Sequence, residues 1–185
     1  MDLTAALRPV VAALEASGTP YAIVGSTAAA AWGVVRPTRD VDLVALLSPG
    51  EMMDSFLDHL AGSDLYVPFA EARRAAQEGG SFNIIHAGSG GKVDVFVGRD
   101  DFARERLSRR VGDEVLGITT WVATPEDVIL AKLQCRLASR SEVQWRDCVE
   151  IAATQDLDLP YMRSWANRLG IDDDLQELVH AVETG

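Results

Sequence analysis

The spacing of apolar residues predicts an alternation of helices and strands in the first part of the chain. Apolar residues recur at helical intervals from Leu3 to Leu14, which predicts an amphipathic helix over residues 2–17 that Gly18 ends. Short apolar or alternating runs predict strands over residues 21–25, 41–47, 81–86, 92–97 and 114–122. Further helices are predicted over residues 27–32, with Ser26 as the expected cap, and over 49–61, 69–77 and 100–107.

From residue 124 onward the patterns are helical. A helix start is indicated by Thr124 as the cap, Pro125 as the first helical residue and Asp127 as an acid in the first turn. Helices are predicted over residues 124–138, 142–154, 161–169 and 174–182. This order predicts an α+β protein, with a mixed sheet flanked by helices in residues 1–123 and a C-terminal helical subdomain in residues 124–185.

Composition narrows the classes of partner. The formal net charge is −11, whereas proteins that wrap nucleic acid by neutralising many phosphates are usually basic, so no DNA partner is expected. Asp2, Arg8 and Glu15 interrupt the first segment, which therefore lacks the apolar core of a signal peptide. No apolar stretch is long enough for a membrane span, so we expect a cytoplasmic protein without a membrane partner.

Two acidic residues on one predicted strand are the first candidate for chemistry. Asp40 and Asp42 are separated by one residue, so their side chains lie on the same face, roughly 7 Å apart along the backbone. Two such carboxylates repel each other and resist desolvation unless a cation lies between them. Mg²⁺ takes oxygen ligands of this kind, although a solvated strand edge would also accommodate the pair.

Two further features favour a site over a solvated edge. Asp94 lies among the apolar residues of a later strand, where an unpaired charge would cost several kcal/mol. Gly25 and Ser26 form a turn from a strand into a helix, which suits phosphate binding because the backbone can approach closely and the helix presents free N–H groups.

Together these residues resemble a known superfamily. The pattern begins with an apolar residue followed by Gly25 and Ser26, continues after a spacer with the acid–apolar–acid run of Asp40 and Asp42, and ends with the later Asp94. It resembles the core of the DNA polymerase β-like nucleotidyltransferases. The resemblance covers residues 20–97. It implies a nucleotidyltransferase-like sheet, Mg²⁺ (two ions) on the three aspartates, and a nucleoside triphosphate such as ATP whose phosphates contact the turn at Gly25.

Residues 121–151 resemble the helical half of AbiEii-type and MenT-type nucleotidyltransferases, which are known mainly as toxins of toxin–antitoxin pairs. The resemblance implies that Lys132 and Asp147 approach the nucleotide, that the acceptor is RNA such as a tRNA 3′ end, and that a cognate antitoxin is a partner. Alternatives are transfer to a protein hydroxyl or to a small molecule such as an antibiotic, and a non-catalytic nucleotide-binding module.

Several basic residues allow two interpretations. Lys132 also suits a solvated helix face, and Asp147 suits a surface ion pair. Arg36 and Arg39 precede the first acidic pair and could contact phosphates or simply offset the local acids; Arg39 is the better candidate for a phosphate contact. The arginines at positions 104, 106, 109 and 110 could meet an RNA backbone, although we favour a solvated face. Of the 17 basic residues only Lys92 and Lys132 are lysine; this scarcity suits either a coding bias toward arginine or two positions where a compact ammonium is needed.

Overall fold

The computed structural model describes residues 1–184, with the side chain of Ala138 outside the description. Within these residues the core is a mixed sheet with the strand order β3-β4-β5-β2-β1-β7-β6. The strands are β1 (Tyr21–Val24), β2 (Val41–Ala45), β3 (Leu65–Tyr66), β4 (Gly80–His86), β5 (Lys92–Val97), β6 (Val111–Val115) and β7 (Ile118–Val122). The helices are α1 (Leu3–Ala16), α2 (Gly25–Ala31), α3 (Glu51–Leu60), α4 (Phe69–Glu78), α5 (Asp101–Arg109), α6 (Pro125–Ser139), α7 (Glu142–Thr154), α8 (Leu159–Leu169) and α9 (Asp172–Thr184).

The centre of the sheet combines parallel and antiparallel pairs. β2 is parallel to β5 and antiparallel to β1, and β1 is parallel to β7. The remaining pairs, β3 with β4, β4 with β5 and β6 with β7, are antiparallel. Since β2 and β5 run in the same direction, residues at matching positions point to the same face at the same level of the sheet.

The alternation along β5 divides the sheet into a packed face and an open face. Val93 and Val95 are fully buried, and α1 packs against β4 and β5. Phe96, on the opposite face, is 43% exposed. The predicted first helix is confirmed as α1, whose N-terminus is capped by the side chain of Asp2, which accepts a hydrogen bond from the backbone N–H of Ala5.

Most of the predicted elements are confirmed, and the structure corrects three details. The predicted strand over residues 114–122 is instead the hairpin of β6 and β7, which turns at Leu116 and Gly117 with φ of 53° and 70°. A leucine in the left-handed region is rare, so the sequence did not show a turn there. The short strand β3 was not predicted, because its two residues lack a recognisable pattern.

The expected cap at Ser26 is wrong. α2 begins at Gly25, and Val24 occupies the cap position without a side-chain hydrogen bond. Ser26 therefore lies in the first turn of the helix, and its hydroxyl accepts a hydrogen bond from the guanidinium of Arg36 instead. The hydroxyl is thus committed to a tertiary contact with the connector that precedes β2.

The helical second half packs onto the site-bearing part of the sheet through α6, which contacts α2. The predicted start of α6 is confirmed: the hydroxyl of Thr124 caps it, Pro125 is its first residue, and Asp127 lies in its first turn. That residues 124–185 form a separate subdomain stays a prediction, and Gly185 lies outside the described residues. None of the described helices combines the length and apolar character that crossing a bilayer requires.

A core substitution on β2 tests this packing. Leu43 is fully buried and points away from the face that carries Asp42, so Leu43→Ala removes core contacts without altering the site. We expect the free energy of unfolding to fall by about 2–5 kcal/mol in urea denaturation. Val143→Ala, at a side chain that is 41% exposed, is the matched control and should change it by less than about 0.5 kcal/mol. Equal effects of the two substitutions would contradict the described core.

Candidate active site

The carboxylate cluster is built by the parallel pairing of β2 and β5. Asp42 and Asp94 are direct register partners, so their side chains lie on the same face at the same level. Asp40 lies just before β2. The ammonium of Lys92 joins the cluster, with Nζ 2.8 Å from Oδ2 of Asp94 and 3.2 Å from Oδ2 of Asp40.

Gly25 brings the N-terminus of α2 directly against this cluster. Its φ is +64°, and a Cβ atom at this position would lie 2.1 Å from Oδ2 of Asp42. The close approach of backbone and carboxylate therefore requires glycine, for both conformational and steric reasons. As the sequence predicted, the turn at Gly25 adjoins the acidic strand.

Crowding and burial destabilise the charge of Asp42. Burial and, after it, the neighbouring charges of Asp40 and Asp94 raise the pKa of Asp42 to about 6, although Lys92 and Lys132 act to lower it. The side chain of Asp42 makes no hydrogen bond or ion pair with the described residues. Such a carboxylate is stabilised when a cation binds beside it.

The donor set suits a divalent metal ion. Oδ1 of Asp94 is buried and has no hydrogen-bond partner in the structure, and such an orphaned oxygen is available as a ligand. Three carboxylates within reach of one another match the preference of Mg²⁺ for oxygen ligands. In residues 1–184, however, no three acidic, histidine or cysteine side chains are already arranged around one point, since Asp40 and Asp94 are turned toward Lys92.

A second polar cluster links the helical half to the turn at Gly25. Asp147 on α7 accepts hydrogen bonds from Nζ of Lys132 at 2.7 Å and from Nη2 of Arg36 at 2.9 Å. Arg36 also donates to the hydroxyl of Ser26, and Lys132 donates to Oε1 of Gln144 at 3.0 Å. Lys132 is therefore part of a buried network, and the solvated-face interpretation of this residue is wrong, as is that of a surface ion pair for Asp147.

The two cations set the protonation state of this second cluster. Burial alone raises the pKa of Asp147, but the hydrogen bonds from Arg36 and Lys132 outweigh burial and hold the pKa below its usual value. Asp147 is thus an anion that fixes the positions of Lys132 and Arg36. Through Arg36 it also fixes the hydroxyl of Ser26, at the start of α2.

A cavity of about 350 Å³ lies between the sheet, the start of α2 and α6. Gly25, Ser26, Asp42 and Lys132 line it, so these predicted site residues meet at one place. Its apolar walls come from both the sheet and α6, through Val44, Phe96, Val128 and Ala131. A cavity with apolar walls and a few convergent charged groups is typical of a small-ligand site.

Arg106 on α5 also lines this cavity. It makes no hydrogen bond or ion pair with the described residues, its Nε is buried without a partner, and its guanidinium lies 5.2 Å from the ring centroid of Phe102. Burial lowers the pKa of Arg106, because the charged form is partly desolvated. The preferred interpretation of a solvated arginine face is therefore wrong for Arg106, which offers donors to an anionic ligand.

The other predicted residues fall into place around the cavity. Asp40 and Asp94 lie in the carboxylate cluster, and Asp147 contacts the cavity through Lys132. Arg39, by contrast, is exposed and contacts none of these residues, while Arg36 takes the position next to Ser26. From the sequence, Arg36 ranked below Arg39 as a phosphate contact and a solvated face was favoured for Arg106. Lys92 was noted only for its residue type, and no local pattern placed it beside the aspartates.

Comparison with known proteins finds solved structures of similar fold but no matching family model or curated protein. Among solved structures, an antigenic nucleotidyltransferase-like protein from Paracoccidioides brasiliensis matches with a TM-score of 0.50 at 18% identity, over 96% of this chain and 92% of that chain. The antibiotic-resistance factor ANT(2'')-Ia matches with a TM-score of 0.52 at 14% identity, over 100% of this chain and 97% of that chain.

The chain has a nucleotidyltransferase-like fold. Both likenesses extend over the helical second half as well as the sheet, as the coverage shows. At these identities they confirm the predicted α+β fold with its helical C-terminal part, and they carry no information on substrate. The resemblance to AbiEii-type and MenT-type proteins is neither strengthened nor weakened by them and stays a prediction.

The raised pKa of Asp42 leads to a stability test. Because the folded-state pKa is raised from 3.8 to about 6, ionised Asp42 destabilises the metal-free fold, by an amount that grows as the pH rises through that interval. In EDTA at pH 7.5, Asp42→Asn should raise the free energy of unfolding by about 1–2 kcal/mol, after allowance for solvent screening. The gain should shrink toward pH 4, where Asp42 is protonated.

Chemical denaturation at both pH values measures this difference. Asp58→Asn is the matched control, since it removes one negative charge from an exposed helix position outside the cluster. It should leave stability within about 0.5 kcal/mol of the parent protein. An Asp42→Asn protein that is less stable than the parent at pH 7.5 would contradict the crowded-carboxylate description.

Proposed function

We propose that this protein is a Mg²⁺-dependent nucleotidyltransferase that moves a nucleotidyl group from a nucleoside triphosphate to an acceptor hydroxyl. The observation that carries the proposal is the register pairing of Asp42 with Asp94, directly against the glycine turn at Gly25 and beside a ligand-sized cavity. The nucleotidyltransferase-like fold supports it, because the chain shares this fold with a protein named nucleotidyltransferase-like.

Asp40, Asp42 and Asp94 are the proposed metal ligands. Their charges repel one another, and Asp42 in particular lacks a partner, so a divalent cation would relieve the strain of keeping them ionised. Mg²⁺ held there would neutralise charge on the triphosphate and would favour deprotonation of the acceptor hydroxyl. The proposal requires all three carboxylates, and the sequence has an aspartate at each of these positions.

The chain's own groups hold the reactants in this scheme. The turn at Gly25 and the free N–H groups of α2 bind the phosphates beyond the α-phosphorus. The acceptor oxygen attacks the α-phosphorus, the bond to the bridging oxygen of the β-phosphate breaks, and pyrophosphate leaves. The proton of the acceptor hydroxyl passes to the carboxylate of Asp94.

The second cluster supports the nucleotide end of the cavity. Lys132 lines the cavity and Asp147 positions it, so its ammonium contributes a fixed positive potential for the triphosphate. Arg36 holds Asp147 and Ser26 together, which we infer keeps the first turn of α2 in place. In this scheme Asp147 acts through Lys132 and Arg36.

The first acceptor we propose is RNA, such as a tRNA 3′ end, with a cognate antitoxin as partner. This assignment rests on the resemblance of residues 121–151 to toxin nucleotidyltransferases, and on the fact that Lys132 and Asp147 lie together at the cavity. A protein of this class would inhibit growth when its antitoxin is absent.

A small polycationic acceptor is the second candidate, and the charge of the protein favours it. The net charge of −11 attracts cations and repels a nucleic-acid backbone. An aminoglycoside is the corresponding probe.

A transfer assay tests the function and distinguishes the acceptors. Each α-labelled nucleoside triphosphate is incubated with the protein and Mg²⁺ in the presence of total tRNA, an aminoglycoside panel, or no added acceptor. We expect label to move to one acceptor class and to stay unincorporated in EDTA. Asp42→Asn should lower the rate by at least about a hundredfold, because it removes a metal ligand while preserving side-chain shape.

Asp58→Asn, which lies outside the site, serves as the control and should retain the parent rate. Label on tRNA would favour the toxin-like role, and label on an aminoglycoside the antibiotic-modifying role. Label on the protein itself in the absence of acceptor would favour modification of a protein hydroxyl. An Asp42→Asn variant with unchanged transfer would overturn the site assignment.

Arg106 gives a separate test of nucleotide binding in the cavity. It is a cavity-lining cation without a partner among the described residues, so we expect it to donate to a phosphate oxygen. Arg106→Gln should weaken binding of a non-hydrolysable triphosphate analogue by about tenfold or more in calorimetry, since a hydrogen bond to a charged group is worth about 1.5–3 kcal/mol.

Arg104→Gln on the same helix is the matched control, because Arg104 is solvent-exposed and pairs with Asp101. Its affinity should equal that of the parent protein. Unchanged affinity of the Arg106→Gln protein, with a normal melting temperature, would remove Arg106 from the proposed nucleotide site.

A further inference from the structure

Lys92 places a permanent cation inside the carboxylate cluster. Its Nζ lies 2.8 Å from Oδ2 of Asp94 and 3.2 Å from Oδ2 of Asp40, so one ammonium bridges two proposed metal ligands. Lys92 precedes Asp94 by two residues on β5, which puts both side chains on the same face. The position of the lysine is therefore fixed by the strand.

The residue type also suits this role. The basic residues of the chain are otherwise almost all arginine, and an ammonium is the more compact charge, able to fit between two carboxylates. A bulkier guanidinium would contact the same oxygens from further away.

The charge balance of the cluster limits how many metal ions it binds. Asp40, Asp42 and Asp94 carry three negative charges, of which Lys92 neutralises one. A single divalent ion neutralises the remaining two, whereas a second ion would leave an excess of positive charge in the free protein. Within the described residues, Asp42 is the member of the three that makes no hydrogen bond or ion pair, so it has free ligand capacity.

We propose that the ammonium of Lys92 takes the place of one of the two metal ions that the family resemblance implies, so that the free protein binds a single divalent ion. The inference rests on the proposed function, since it assumes that the three aspartates bind metal. Lys92 is then the fixed cation on the side of Asp94, and Asp42 supplies the ligand for the exchangeable ion.

Counting bound Mn²⁺ tests this proposal without an activity assay. The metal-stripped protein is titrated with Mn²⁺ in a calorimeter, without nucleotide, as the parent, Lys92→Met and Lys92→Arg. We expect one bound ion for the parent and two for Lys92→Met, because methionine has similar length without the charge, so a single divalent ion then leaves the three carboxylates incompletely neutralised. Lys92→Arg keeps the charge and should bind one ion, like the parent.

Melting temperatures give a second readout of the same effect. Lys92→Met should melt below the parent in EDTA, because three carboxylates lose their cation, and should gain more from Mn²⁺ than the parent does. The side chain of Lys92 is partly exposed, so the substitution is compatible with folding, which circular dichroism checks. An equal response of the two proteins to Mn²⁺ would overturn the proposal.

The stoichiometries distinguish this proposal from the function on which it rests. Two ions bound by the parent, with no increase in Lys92→Met, would overturn the role of Lys92 and leave the metal-dependent function standing. No Mn²⁺ bound by either protein would overturn the metal site itself, and the role of Lys92 with it.

Discussion

Repulsion among three carboxylates on neighbouring strands is the constraint on which the site depends. The parallel pairing of β2 and β5 aligns Asp42 with Asp94, and the glycine turn places backbone directly against Asp42. Burial and the neighbouring charges raise the pKa of Asp42 to about 6. Keeping this residue ionised therefore costs free energy, which the rest of the fold must offset. A charge arrangement unfavourable in isolation is favourable for binding a cation, which is why we read it as functional.

One buried anion, Asp147, links the helical second half of the chain to the turn beside the carboxylate cluster. Asp147 on α7 accepts hydrogen bonds from Lys132 on α6 and from Arg36 in the connector before β2. Arg36 in turn reaches Ser26 in the first turn of α2. Since Asp147 is the shared partner of both cations, its loss would leave two neighbouring cations without their anion, so it holds the helical half and the turn at Gly25 in their relative positions.

Charge therefore acts at two scales in this protein. The net charge of −11 influences which acceptors approach, whereas single cations at fixed positions determine what happens inside the cavity. Lys92 and Lys132 are both committed to aspartates, while Arg106 keeps its donors free among the described residues. An anionic ligand that binds together with a cation suits this arrangement, because Arg106 has unused donors whereas both lysines already pair with aspartates.

The sequence by itself determined the local elements and the acidic pattern. Helical spacing predicted α1, alternation predicted β5, and the one-residue gap between Asp40 and Asp42 placed both on one face, because each of these depends only on neighbours along the chain. The tertiary structure decided which distant residues meet: Lys92 between Asp40 and Asp94, Arg36 at Asp147, and Arg106 in the cavity. Those contacts follow from strand order and helix packing, which bring together residues that no local pattern connects. The left-handed turn at Leu116 was hidden for a related reason, since hairpin pairing overrides the residue's own preference.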